Sequence, residues 1–176
     1  MSNATKPMLV HLNGRLVPAD EARVSVFDPA TGAWSDMPPM ATARHQATAT
    51  RGNDGRLYVF GGIAGATLTG EAAAFDPASN TWTALPSMAA PMWGASAVTA
   101  EDGRISVFGG WNTRPTSTVQ VYDPVARLWS TAPPLPDTRS QLSATRGPGG
   151  RLCLLGGQTG GVPGVASTFW SFDPVT

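Results

Sequence analysis

Charge is scarce in this sequence. Asp, Glu, Lys and Arg make up 14% of its 176 residues and cancel to a formal net charge of zero; soluble domains carry roughly 25%. No basic excess is present to meet nucleic-acid phosphates or an anionic membrane surface, so neither is expected as a partner. Cysteine is scarcer still. The single Cys153 excludes an intrachain disulfide and any zinc site built from several thiolates. It sits in RLCLLGG, an apolar strand in which a buried, unreactive thiol is expected. Lysine occurs once, as Lys6. No apolar run approaches the ~18 residues of a membrane-spanning helix. The opening MSNATKPMLVHLNG carries no apolar stretch of signal-peptide length, so a cytoplasmic chain is expected.

Turn formers are plentiful: 20 Gly and 16 Pro accompany 41% hydrophobic residues. That hydrophobic content separates the chain from disordered sequences and points to one domain of short strands and tight connections.

Three markers recur with one period. Phe27, Phe75, Tyr122 and Phe172, each followed by Asp-Pro, lie 48, 47 and 50 residues apart. Trp34, Trp82 and Trp129 lie 48 and 47 apart, as do the pairs Gly61-Gly62, Gly109-Gly110 and Gly156-Gly157. Within a period the local chemistry is β throughout. HQATATRGNDGRLYVFGG reads as a small-residue strand, a turn at Asn53-Asp54-Gly55 and an alternating apolar strand. A looser loop follows the glycines, then a third strand such as STVQVYDP. Asp-Pro builds the next turn: Asp caps its own backbone, Pro presets φ, and Gly32 or Asn80 takes the left-handed position. The fourth strand carries the tryptophan and ends Pro-rich.

Four antiparallel strands about every 48 residues describe a β-propeller blade. Gly-Gly, aromatic-Asp-Pro and Trp, in that order over residues 23–176, resemble the kelch repeat. The resemblance implies an all-β, kelch-type β-propeller in which the glycine pair lets neighbouring backbones approach and the aromatic residues pack between blades. Kelch propellers usually have six or seven blades, and here about four are expected. Residues 1–8 read as a flexible N-terminus and 9–40 as an aberrant first blade. Residues 41–88 and 89–135 read as complete repeats, and 136–176 as a repeat lacking its outer strand. Closure is expected either within one chain as a small four-bladed ring or by a second chain completing a larger one. Ala33–Met37 would supply the missing outer strand in either case. Trp82 and Trp129 are expected to be buried in equivalent positions between blades.

Residues 9–28, LVHLNGRLVPADEARVSVFD, resemble the N-terminal hairpin of fold-type IV pyridoxal-phosphate aminotransferases. That activity needs a lysine for the internal aldimine, and Lys6 precedes the matching stretch. No such activity is expected. Some kelch propellers are copper-radical oxidases using histidines, tyrosines and a crosslinked cysteine. His11, His45, Tyr58, Tyr122 and Cys153 supply the residue types, but the tyrosines stand where the repeat wants an aromatic. No Ser/His/Asp arrangement or paired carboxylates stand out, and most Asp residues occupy turns. No cofactor and no metal are expected.

Antiparallel alternation puts the fourth-to-first and second-to-third strand loops at one end of every blade, around a common mouth. The first set presents Arg44-His45, Met92-Trp93 and Arg139-Ser140; the second presents Ile63, Trp111-Asn112 with Arg114, and Gln158. These positions vary while the scaffold repeats, as recognition positions on a rigid frame do, and Arg and Trp dominate interface energetics. The expected binding residues are Arg44, His45, Trp93, Trp111, Asn112, Arg114, Arg139, Ser140 and Gln158. In kelch proteins the corresponding arginines contact acidic partner segments, and the resemblance implies this for Arg44 and Arg139. The alternative is that both pair with neighbouring carbonyls and Trp93 caps the core. The expected function is a non-catalytic module for a protein or peptide bearing carboxylates, with a homodimer completing the ring as a further partner. The other readings are an enzyme with its site on the same face, or a propeller fragment without autonomous function.

Overall fold

The computed structural model describes residues 29–160 and 164–174, together with the backbone of strands 9–12, 15–18 and 25–28. The segment 1–8, expected to be flexible, lies outside the described residues. Two hairpins come first: β1 (Leu9–Leu12) with β2 (Arg15–Pro18), and β3 (Ser25–Asp28) with β4 (Ala33–Asp36). They form separate two-stranded sheets, so the aberrant first set is not one blade.

Three blades follow. The first runs outward as β5 (Thr48–Arg51), β6 (Leu57–Phe60), β9 (Ala72–Asp76) and β10 (Thr81–Leu85); the ribbon β7 (Ile63–Ala64) and β8 (Thr67–Leu68) interrupts its second-to-third loop. The second repeats this plan. It holds β11 (Ser96–Thr99), β12 (Ile105–Phe108), β15 (Val119–Asp123) and β16 (Leu128–Ala132), with the ribbon β13 (Trp111–Asn112) and β14 (Arg114–Pro115). The third has β17 (Ser143–Arg146), β18 (Leu152–Leu155) and β19 (Phe169–Phe172), and among the described residues no outer strand. All pairings are antiparallel.

The Asp-Pro turn sets the register of each outer hairpin. Asp76 Oδ1 accepts from the Ala78 amide at 2.9 Å, and Asp123 Oδ1 from the Val125 amide at 2.8 Å. Gly32, Asn80 and Arg127 close the turns at φ of 67°, 56° and 56°. Phe27 therefore stands opposite Trp34, Phe75 opposite Trp82 and Tyr122 opposite Trp129. The β3–β4 hairpin thus repeats the register of the outer hairpins in the two four-stranded sheets.

The apolar cores lie between blades. One holds Tyr58, Phe60 and Met88 against Ile105, Val107 and Tyr122; the other holds Phe108, Val119 and Leu135 against Leu152 and Leu154. Alternation explains the pattern. On β6 the residues Tyr58 and Phe60 face the next blade and are buried, while Leu57 and Val59 face backward and are half-buried. On β12, flanked on both sides, all four residues are buried, as expected for a strand covered on both faces.

The glycine pair works by close approach. The Gly62 amide donates to the Met92 carbonyl of the next blade at 2.9 Å, and the Gly110 amide to the Arg139 carbonyl at 2.7 Å. A Cβ on Gly61 would lie 2.4 Å from the Met92 carbonyl oxygen.

Trp82 and Trp129 occupy equivalent places, but both are half-buried instead of buried. Each indole Nε1 donates to a carbonyl of the preceding element, Pro38 and Pro86, at 2.8 Å. The polar edge reaches the backbone at the blade rim, which keeps part of each ring near solvent. Trp82→Phe should keep the tilted contact with Phe75, whose centroid is 5.2 Å away, and lose about 1 kcal/mol with the hydrogen bond. Trp82→Ala should cost about 2 kcal/mol, less than a fully buried tryptophan. Urea denaturation of both variants measures the difference; a Trp82→Phe protein as stable as wild type would show that the indole bond contributes nothing.

β5 packs against β11, and β11 against β17. The inner strands at the two ends, β5 and β17, are not packed together in this way. Four-bladed closure within one chain is therefore not seen among the described residues.

Candidate functional site

Each fourth-to-first loop ends in a triplet with a fixed division of labour: Arg44-His45-Gln46, Met92-Trp93-Gly94 and Arg139-Ser140-Gln141. The first residue of the later two triplets offers its carbonyl to the preceding glycine pair, as described. The second bridges to the residue after the glycines of its own blade. His45 pairs with Ile63 (2.9 and 3.0 Å), Trp93 with Trp111 (2.7 and 3.2 Å) and Ser140 with Gln158 (2.7 and 3.0 Å). The third takes a left-handed conformation, at φ 55°, 62° and 52°. It hands the backbone on to the next blade: Gly94 N–H donates to the Gln46 carbonyl at 3.1 Å, and Gln141 N–H to the Gly94 carbonyl at 2.6 Å.

The loops thus bring the expected residues to one end of the arc, but not to one role. Arg44 and Arg139 were expected as exposed contacts; their side chains are only 3% exposed. Arg44 Nη1 donates to the Glu71 carbonyl at 2.7 Å and Nη2 to Glu71 Oε2 at 2.9 Å. Burial lowers the pKa of this guanidinium, and the Glu71 carboxylate opposes that shift. Arg139 Nη1 donates to Asp137 Oδ2 and the Thr138 carbonyl, both at 2.9 Å, and Nη2 to Thr168 Oγ1 at 2.9 Å. Its guanidinium carbon lies 4.6 Å from the centroid of the Trp170 ring. Both guanidinium groups are thus held by acceptors within the fold through their terminal nitrogens, while the buried Arg139 Nε has no partner among the described residues. The alternative reading of these arginines, pairing with neighbouring carbonyls, is the one the geometry fits.

Ser140 is fully buried and its Oγ has no partner among the described residues. His45, Asn112 and Gln158 are exposed. Trp93 and Trp111 are half-buried and stacked, with centroids 5.7 Å apart and planes inclined by 25°. Arg114 stands exposed on the adjoining ribbon, and among the described residues its side chain has no hydrogen bond or ion pair. Thr113 before it has φ 61°, an uncommon conformation for a β-branched residue. Beside them lies an open cleft of ≈ 920 Å³ bordered by Met92, Trp111, Arg114, Pro115, Thr116 and Thr138.

Sequence reasoning missed Gln46 and Gln141, both exposed in this row. Their signal was positional: each is third in a triplet whose first two residues were noticed. The His11 side chain lies outside the described residues; among those described, the residue types needed for copper-radical chemistry do not converge. The Tyr58 hydroxyl donates to Asp54 at the turn on the opposite end from His45, and Tyr122 is buried among aromatic rings. Burial raises the pKa of both phenols, and the Asp54 hydrogen bond raises that of Tyr58 further.

The model of the KLHDC2/KLHL20/DRC7 Kelch-repeats domain matches residues 5–176. The chain belongs to this Kelch-repeat family. The match includes residues 9–28, so nothing supports the aminotransferase resemblance of that stretch. No curated protein matches the chain. Kelch-repeat domains of this family are generally non-enzymatic protein-interaction modules. No helix among the described residues is long and apolar enough to cross a membrane.

Proposed function

We propose that this Kelch chain is a non-catalytic module that holds an acidic segment of a protein partner at its mouth. The observation that carries the reading is Arg114: an exposed, unpaired guanidinium beside the stacked Trp93–Trp111 pair and the cleft. A cation next to an apolar platform offers a carboxylate partner both charge and buried area, the pairing common in interface hot spots. His45, Asn112 and Gln158 are exposed on the same end and complete the contact surface; Arg44, Arg139 and Ser140 support it from beneath. The Arg44–Glu71 and Arg139–Asp137 pairs neutralise themselves, leaving Arg114 to set the sign of the field. The same reading has a second copy of the chain supply the blades this arc lacks.

Fluorescence anisotropy with labelled peptides of matched length, rich in Glu, in Lys or in Ser, tests the charge preference. The Glu-rich set should bind best, and Arg114→Glu should weaken it by about tenfold, with a smaller loss at high salt where screening is stronger. Asp123→Arg, in a turn at the opposite end, should change little. Charge-blind binding, or binding indifferent to Arg114→Glu, would overturn the reading.

A further inference from the structure

Two copies of one joint hold the three blades together, and each end of the arc carries one unfilled half of it. In the first joint Gly62 N–H donates to the Met92 carbonyl (2.9 Å), the Gln46 carbonyl accepts from Gly94 N–H (3.1 Å) and Thr48 Oγ1 accepts from Ala97 N–H (2.9 Å). The second repeats it between Gly110 and Arg139 (2.7 Å), Gly94 and Gln141 (2.6 Å), and Ser96 and Ala144 (3.0 Å). On the last blade the corresponding groups are the Gly157 N–H, the Gln141 carbonyl and Ser143 Oγ, and among the described residues none has a partner. On the first blade the corresponding groups are the Arg44 carbonyl and Gln46 N–H, likewise unpartnered, and the amide of Ala49. Ala49 stands opposite Val59 as Ala97 stands opposite Val107. One donor and two acceptors at one end face one acceptor and two donors at the other.

The apolar faces tell the same story. Phe60 and Phe108, at one repeat position, are 1% and 0% exposed; Leu155, at the same position on the last blade, is 43% exposed. Ala72 and Val119 are buried, whereas Phe169 at their position is 60% exposed. At the other end Leu57 and Val59 are half-buried where Ile105 and Val107 are fully buried.

We propose that the free face of the last blade takes the first blade of a second copy of this chain, head to tail, and that two such joints close a six-bladed ring from two sets of three inner strands. The proposal rests on the part of the functional reading that brings in a second copy, not on what the mouth binds. The joint is heterologous, and a heterologous joint gives a closed ring only when its rotation closes. Successive inner strands already lie side by side, β5 against β11 and β11 against β17. In the ring, β4 of the partner lies beside β19 and supplies the outer strand of the last blade. There β19 takes the place that β3 holds beside β4 now, and both end in Phe-Asp-Pro, at Phe27-Asp28-Pro29 and Phe172-Asp173-Pro174.

Light scattering of the full chain over a dilution series, with three variants, tests this. A Cβ on Gly156 would meet nothing closer than 3.4 Å within the chain, whereas on Gly109, its counterpart in the filled joint, it would meet the next blade's carbonyl at 2.3 Å. Gly156→Asn keeps a residue tolerant of the left-handed conformation and should block only the partner. Gly149→Asn, where a Cβ meets nothing within 4 Å, is the control. Phe169→Glu charges the exposed face without filling the joint. Wild type and Gly149→Asn should weigh twice the 18.3 kDa of one chain. Gly156→Asn and Phe169→Glu should weigh one chain, with an unchanged far-ultraviolet circular dichroism spectrum. A monomeric wild type, an open-ended polymer, or a dimer surviving Phe169→Glu overturns the proposal. Acidic-peptide capture by a monomer would sink the joint and leave the mouth standing.

Discussion

Gly109→Ala is expected to remove about 3–5 kcal/mol of stability, a large part of the 5–15 typical of a domain. The residue sits at φ 61°, where a side chain costs roughly 1–2 kcal/mol. That alone would be tolerable. The larger cost comes from the neighbouring blade: the new Cβ would stand 2.3 Å from the Arg139 carbonyl oxygen and 3.2 Å from its carbon. Backbone cannot step aside as a flexible side chain can, so the overlap must open the joint and lengthen the 2.7 Å bond from Gly110. Gly32→Ala separates the two effects. Gly32 has φ 67°, and a methyl group added there would meet nothing within 4 Å, so it should lose only about 1 kcal/mol. Urea denaturation of the pair is decisive; similar midpoints would mean that blade approach is not what the second glycine pair serves.

Arg139→Ala should destabilise the protein by about 2–4 kcal/mol, since hydrogen bonds to charged groups contribute about 1.5–3 each and packing on Trp170 is lost as well. Arg139→Lys should recover less than half of that, because an ammonium cannot reach the Thr138 carbonyl, Thr168 Oγ1 and Asp137 together in a planar fork. The same arginine shapes an acid response. Its hydrogen bond, followed by that of the Thr138 amide, holds the Asp137 carboxyl below its ordinary value. A depressed folded pKa contributes stability above the unfolded value, and that contribution is lost as pH falls through the folded one. Carboxyl titration by nuclear magnetic resonance should therefore show Asp137 protonating at lower pH in wild type than in Arg139→Ala. Equal midpoints, with a stable Arg139→Ala protein, would return Arg139 to the role of a free contact.

Much of the fold was legible because its determinants are local. The Phe-Asp-Pro turn and the tryptophan after it define an outer hairpin within a dozen residues, so Phe75 opposite Trp82 could be expected from spacing alone. The glycine pairs announced close approach for the same reason: nothing else explains two adjacent residues without side chains at one repeat position. The site was legible in address and not in role. The repeat placed Arg44 and Arg139 in loops at the mouth, yet Glu71 and Thr168, their acceptors, arrive 27 and 29 residues later as the third strand returns.

Repeat period, strand order, hairpin register and the end of the molecule that gathers its variable loops were determined by the sequence alone, because turns and side-chain alternation act over a few residues. Which arginine faces outward was decided by the tertiary structure. A guanidinium in a loop can reach solvent or fold back, and only the position of carbonyls from distant strands selects between them. By that selection Arg44 and Arg139 became part of the scaffold, and Arg114 stayed exposed, its side chain without a hydrogen bond or ion pair among the described residues.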